Sequence, residues 1–185
     1  MSVAYYILSC LYFYLPAYFA NMAPPVFKKL GVLNSLYVPI DFGKTFRGKA
    51  ILGSHKTWRG LILGTLTGMS VVWLQFFLYK FPFFQKISFL DYNKINILFF
   101  GFLISFGAVF GDVFFSFFKR RLNIKPGRRW LPFDQIDYII GSFLFLTPFF
   151  DIFPVIWIVL LFLTFFLHII VNRIGYHLKI SESKW

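Results

Sequence analysis

The chain has 185 residues, 58% hydrophobic and 24% aromatic, with nineteen Lys and Arg against seven Asp and Glu and a formal net charge of +12. A mean hydropathy of +0.70 is too high for a soluble domain of this length, so the sequence reads as an all-α, polytopic integral membrane protein, one membrane domain over residues 1–185. That embedding excludes nucleic acid as a partner despite the basicity, and the single cysteine, Cys10, cannot form an internal disulfide.

Residues 1–27 are the first apolar run, without the basic leader of a cleaved signal peptide, and are read as a retained helix that Pro24 and Pro25 end. A loop of about thirty residues follows, longer than a compact bundle needs and therefore a candidate for function. Its Lys44 to Gly48 segment is echoed by Lys56 to Gly60, which we read as chance. Gly43-Lys44-Thr45 is not a phosphate-binding P-loop, because Val38 stands where that pattern requires glycine. Ser54 is predicted to cap the second helix, residues 60–79, placing His55, Lys56 and Arg59 in its first turn, where free N–H groups and added cations suit phosphate. Interfacial snorkelling explains any one of these cations but not the cluster.

Gly60, Gly64 and Gly68 in the second helix, and Gly107 with Gly111 in the third, are G-x-x-x-G steps for close helix packing. Both sets lie toward the same end as His55 to Arg59 and Asp112, so the two groups are expected to meet. Residues 80–94 carry no legible chemistry. The run 95–111 reaches water only near Lys119, leaving Asp112 about 10 Å inside, where an ionisable residue is costly and implies function. Residues 138–150 span only if their helix begins near Asp134. Residues 152–172 are the last run, after a turn bracketed by Pro148 and Pro154, and His168 and His177 read as isolated interfacial residues.

Seven cations lie in 28–59, six in 119–129 and three after Asn172, against three in 80–94. The positive-inside bias then predicts about five transmembrane helices in the cell membrane, N-terminus outside and C-terminus cytosolic. The active site would be built on the cytosolic loops of about 28–59 and 119–133. Lys28, Lys29 and Lys179 are read as topology and headgroup charges only.

The stretch Asp112 to Asp137 holds three of the seven acids and six of the nineteen bases. On a helix, Asp112, Ser116, Lys119 and Arg120 share one face at i, i+4, i+7 and i+8, and Asp134 and Asp137 sit at i, i+3. Carboxylates are hard ligands suited to Mg²⁺ and the cations suit phosphate oxygens, so the mixture points to metal-assisted phosphate chemistry.

Ser116, Lys119, Arg120 and Lys125, followed by Asp134-Gln135-Ile136-Asp137, resemble the signature of membrane CTP-transferases that make CDP-activated lipids. With Gly111-Asp112 and His55-Lys56-Thr57-Trp58-Arg59-Gly60, the chain is similar throughout to the CDP-archaeol synthases. Pro126 stands where CDP-diacylglycerol synthases carry Asp, and their His-Gly-Gly segment is replaced by Gly127 to Phe133. The resemblance implies five transmembrane helices and transfer from CTP to a phosphorylated diradylglycerol, giving the CDP-lipid and pyrophosphate.

It further implies catalytic Asp112, Lys119, Asp134 and Asp137, the three aspartates holding Mg²⁺. Lys119, Arg120, Arg121, His55, Lys56 and Arg59 would take phosphates, with Thr57 and Ser116 as secondary contacts. The competing readings are a CDP-diacylglycerol synthase using phosphatidic acid and a non-enzymatic anionic-lipid-binding membrane protein. A CDP-alcohol phosphotransferase would show D-G-x-x-A-R, which is missing. The lipid, the groups reading cytosine, the number of metal ions and the oligomeric state stay open.

Overall fold

The structure is a computed structural model that describes residues 2–126, 128 and 130–178. Arg129, Lys179 and Lys184, counted above for orientation, and Gly127 lie outside the described residues. The chain forms α1 (Val3–Leu30), a single 3-10 turn at Asn34–Leu36, the two-stranded hairpin β1 (Thr45–Phe46) and β2 (Lys49–Ala50), α2 (Trp58–Leu78), the short α3 (Pro82–Ile87), α4 (Ile97–Arg121), α5 (Phe133–Leu146) and α6 (Pro154–His177). Among the described residues four helices, α1, α2, α4 and α6, are long and apolar enough to cross a membrane. The 14 residues of α5 rise only about 21 Å.

The prolines do not end α1, contrary to the sequence expectation. The helix continues to Leu30, where Gly31 caps it in the left-handed conformation and donates to the Lys28 carbonyl. A helical proline removes the N–H owed to the carbonyl four residues earlier, and such a carbonyl needs another partner inside a membrane. Pro16 frees the Tyr12 carbonyl, which accepts from Gln75 Nε2 at 2.5 Å. Pro24 likewise frees Ala20 O, and a β-carbon built on Gly64 would lie 2.8 Å from that oxygen.

The glycine steps set the packing as expected. Gly60, Gly64 and Gly68 face Pro24, Ala20 and Pro16, so α2 runs antiparallel to α1, while Val109 and Ser105 of α4 cover their other side. Gly107 and Gly111 meet the backbone of α5 at Gly141 and Asp137. Gly141, absent from the sequence reading, is the reciprocal surface that lets α4 and α5 touch backbone to backbone. Successive long helices therefore alternate in direction, and the connections 31–57 and 122–132 gather at one end. A buried polar link fastens the interior: the Tyr14 hydroxyl reaches Tyr138 O at 2.7 Å and Ser142 Oγ at 3.0 Å, and Ser142 donates to Ile104 O at 3.0 Å.

The long connection is ordered by one carboxylate. Asp41 accepts from Gly43 N at 3.0 Å, Leu52 N at 2.8 Å and Gly53 N at 3.1 Å. Burial raises its pKa, and the three N–H donors outweigh that and hold it below the usual value. The loop closes through Ile40 N to Lys56 O at 2.8 Å and Trp58 N to Val38 O at 3.0 Å. The two copies of the echoed sequence take different structures, hairpin and helix start, as chance similarity implies.

Candidate active site

Helix α2 begins one residue after Thr57, not at Ser54. Thr57 has extended dihedrals and its Oγ1 accepts from Gly60 N at 3.2 Å, so this residue is the cap and its hydroxyl is already used. His55 and Lys56 consequently precede the helix, and Arg59 alone of the three residues lies in its first turn.

A cavity of about 970 Å³ opens among the loop 31–57, the C-terminal turns of α1, α4 and α6, and the first turns of α2 and α5. Of the residues singled out in the sequence, His55, Lys56, Thr57, Arg59, Asp112, Ser116, Lys119, Arg120, Asp134 and Asp137 all line it. Arg121 does not. Its guanidinium instead donates to Phe46 O at 2.6 Å, Lys49 O at 3.3 Å and Ala50 O, fastening the hairpin to the end of α4. A side chain spent on three carbonyls is a scaffold and not a phosphate ligand.

Two lysine–carboxylate pairs face this cavity. Lys56 Nζ lies 2.5 Å from Asp112 Oδ2, joining the start of α2 to α4. Lys119 Nζ donates to both oxygens of Asp134, at 2.9 and 2.7 Å, and Asp134 also accepts from Trp130 N at 2.9 Å. Asp137 is 3% exposed and accepts from Tyr138 N at 2.7 Å. Gly111 approaches the Asp137 carbonyl closely, and Asp112 and Asp137 both line the cavity. The two pairs leave Asp137 as a buried acid with no ion pair among the described residues.

Arg120, 7% exposed, has Nε and Nη1 buried without hydrogen-bond partners. A buried guanidinium with unused donors on a cavity wall suits an oxyanion. Ser116 donates back to Asp112 O at 2.8 Å, the bond a hydroxyl makes to its own helix. Arg59 is only 3% exposed and braces the loop instead of standing free at an aqueous rim: Nη1 donates to Asn34 Oδ1 at 2.8 Å and Val32 O at 3.3 Å, and the guanidinium lies 4.4 Å from the Tyr37 ring.

Sequence reasoning missed the contribution of α6. His168, Asn172 and Tyr176 line the same cavity, as does Gln135 of α5. The signal was present, since 168, 172 and 176 are spaced i, i+4, i+8 on one helix face. Among the described residues no group of three His, Cys, Asp or Glu side chains converges as a ready cation site. Asp134 is turned to Lys119, so the expected three-aspartate set is not assembled in this conformation.

The model of the CarS-like family, CDP-archaeol synthase, matches residues 3–185. A CDP-archaeol synthase of Methanococcus aeolicus is 34% identical over all of both chains. Another, from Archaeoglobus fulgidus, is 37% identical over 97% of this chain and 98% of its own. A solved structure described as an intramembrane enzyme for archaeal membrane lipids biosynthesis superposes with a TM-score of 0.71 at 26% identity, covering 90% of this chain and 94% of that one.

Proposed function

The chain belongs to the CDP-archaeol synthase family, and from that premise we propose that it transfers the cytidylyl group of CTP to the phosphate of an archaeal-type diradylglycerol. The reaction forms a bond from a lipid-phosphate oxygen to the α-phosphorus of CTP, breaks the α–β phosphoanhydride and releases pyrophosphate. The observation that carries this reading is one cavity holding two lysine–carboxylate pairs and a buried arginine with unused donors.

The lipid phosphate is anionic near neutral pH and needs no strong base, so the protein's work is positioning and charge compensation. Arg120 offers Nε and Nη1 to phosphate oxygens. Lys56 and Lys119 turn from their carboxylates to the triphosphate, keeping the leaving group in line. His55 and Ser116 line the same wall and complete the polar surroundings.

The donor set fits Mg²⁺: the acids are carboxylates, and Asp137 is buried on the cavity wall beside Asp112 with no cation of its own. Asp112 and Asp137 would hold the ion, joined by Asp134 once Lys119 leaves it. When bound, it supplies neutralisation of the triphosphate and of the departing pyrophosphate. The alternating directions of the helices support five crossings with α5 the short one, and the cations of 28–59 and 119–128, gathered at the cavity end, support an N-terminus outside, a C-terminus in the cytosol and a site on the cytosolic face of the cell membrane.

The test is purified protein in detergent with labelled CTP, Mg²⁺ and either an isoprenoid ether lipid phosphate or phosphatidic acid. CDP-lipid and pyrophosphate appearing in equal amounts, and only with the ether lipid, are expected. No CDP-lipid from either lipid refutes the proposal, and preference for phosphatidic acid replaces its substrate.

A further inference from the structure

The hairpin between Phe42 and Ala50 is not used by the chemistry above, and its surface is unusual for a polar loop. Phe42 is 66% and Phe46 48% exposed. Lys44 and Arg47 are exposed beside them, and the Arg47 guanidinium lies 5.5 Å from the Phe46 ring. The tip is a two-residue turn at Arg47 and Gly48, both with positive φ, which pairs Thr45 with Ala50 and Phe46 with Lys49. Among the described residues no acid pairs with these cations: Asp41 is buried and satisfied by three backbone N–H groups, and the next acid in the chain is Asp91.

The hairpin's height is set by Arg121. That guanidinium lies between two rings, 4.9 Å from Phe117 and 5.5 Å from Phe46, and Lys49 Nζ returns a hydrogen bond to Arg121 O at 2.9 Å. Phe117 is in the last turns of α4, a helix long and apolar enough to cross a membrane. Phe46 is therefore level with Phe117, close to Lys119, where the apolar run of α4 ends in the sequence. Aromatic rings and cations at this depth have a natural solvent, the headgroup region of a bilayer. Two exposed rings are too small a surface for a stable protein interface.

We propose that the hairpin is a membrane-surface anchor, with Phe42 and Phe46 seated among the lipid headgroups and Lys44 and Arg47 paired with anionic headgroup phosphates. The anchor reaches the cavity through covalent continuity. The chain passes from Ala50 to Leu52 and Lys56, both on the cavity wall. Between them a β-carbon on Gly53 would lie 3.4 Å from Pro126 and 3.7 Å from Arg120 Nη1. Seating the hairpin thus steadies the segment that covers Arg120.

The test uses the full chain with Cys10→Ala and a single Phe42→Cys carrying an environment-sensitive fluorophore, reconstituted in phosphatidylcholine vesicles with or without phosphatidylglycerol. The vesicles also contain a lipid spin-labelled at headgroup depth. A blue shift and loss of fluorescence that grow with phosphatidylglycerol are expected, and Lys44→Glu with Arg47→Glu should abolish that growth. A second label at Phe46→Cys repeats the measurement should the first disturb the strained Phe42 backbone. Water-like, unquenched emission at both positions overturns the proposal, as does quenching indifferent to anionic lipid or to charge reversal. None of these readouts depends on turnover, so the anchor stands or falls separately from the proposed reaction.

Discussion

Gly64→Ala tests whether close helix approach governs the site. The new β-carbon would lie 2.8 Å from Ala20 O and 2.9 Å from Val109 Cγ2, so α2 is pinched between α1 and α4. Ordinary contact begins near 3.4 Å, so backbone or helix must retreat by about 0.6 Å, an overpacking that costs roughly 1–3 kcal/mol. Gly101→Ala is the control, because its β-carbon would meet Val72 and Met69 at 3.4–3.6 Å. Both variants gain the same helix propensity, about 1 kcal/mol, so their difference isolates packing. Gly64→Ala should melt roughly 3–10 °C below Gly101→Ala in detergent, read by intrinsic fluorescence. Turnover should fall too, because Lys56 is held against Asp112 by the segment that leads directly into α2, and retreat of that helix lengthens the 2.5 Å pair. Equal melting temperatures and turnover in the two variants would refute the reasoning.

Arg59→Ala removes the brace on Val32, Asn34 and Tyr37, so it should cost about 1–3 kcal/mol of stability as well as nucleotide affinity. A binding loss with an unchanged melting curve would return Arg59 to a purely ligand-binding role. Asp41 has a lowered folded-state pKa, so its stabilisation is complete above the unfolded carboxylate value near ~3.9 and is lost as pH falls through the folded value. Asp41→Asn should flatten the acid limb of a pH–stability curve below about pH 4, and an acid limb identical to wild type counts against the assignment. Asp137→Asn should abolish CDP-lipid formation and, by removing a buried carboxyl with no ion pair, raise the melting temperature in Mg²⁺-free buffer. Retained turnover in that variant removes Asp137 from the metal proposal.

Much of this architecture was legible in the chain because the bilayer imposes period and length. Apolar runs marked the long helices, small residues at every fourth position marked the contacts, and the depth of Asp112 marked the site. Local competition was less legible. Pro24 and Pro25 looked like a helix end because a missing N–H is normally fatal, yet α2 packs closely along this stretch of α1 and the helix runs on to Leu30. Ser54 and Thr57 are both acceptable caps by type, and the pairing of Ile40 with Lys56 and of Trp58 with Val38 across the loop places the extended residue at 57. Arg120 and Arg121 are adjacent and chemically alike, but successive helical side chains point about 100° apart. One therefore faces the cavity and the other the hairpin, whose folding on Asp41 no periodicity reveals. The α6 wall of His168 and Asn172 belonged to the site only once helix direction and packing brought it beside α5. Sequence determined which residues could share a face, and tertiary structure decided which faces meet.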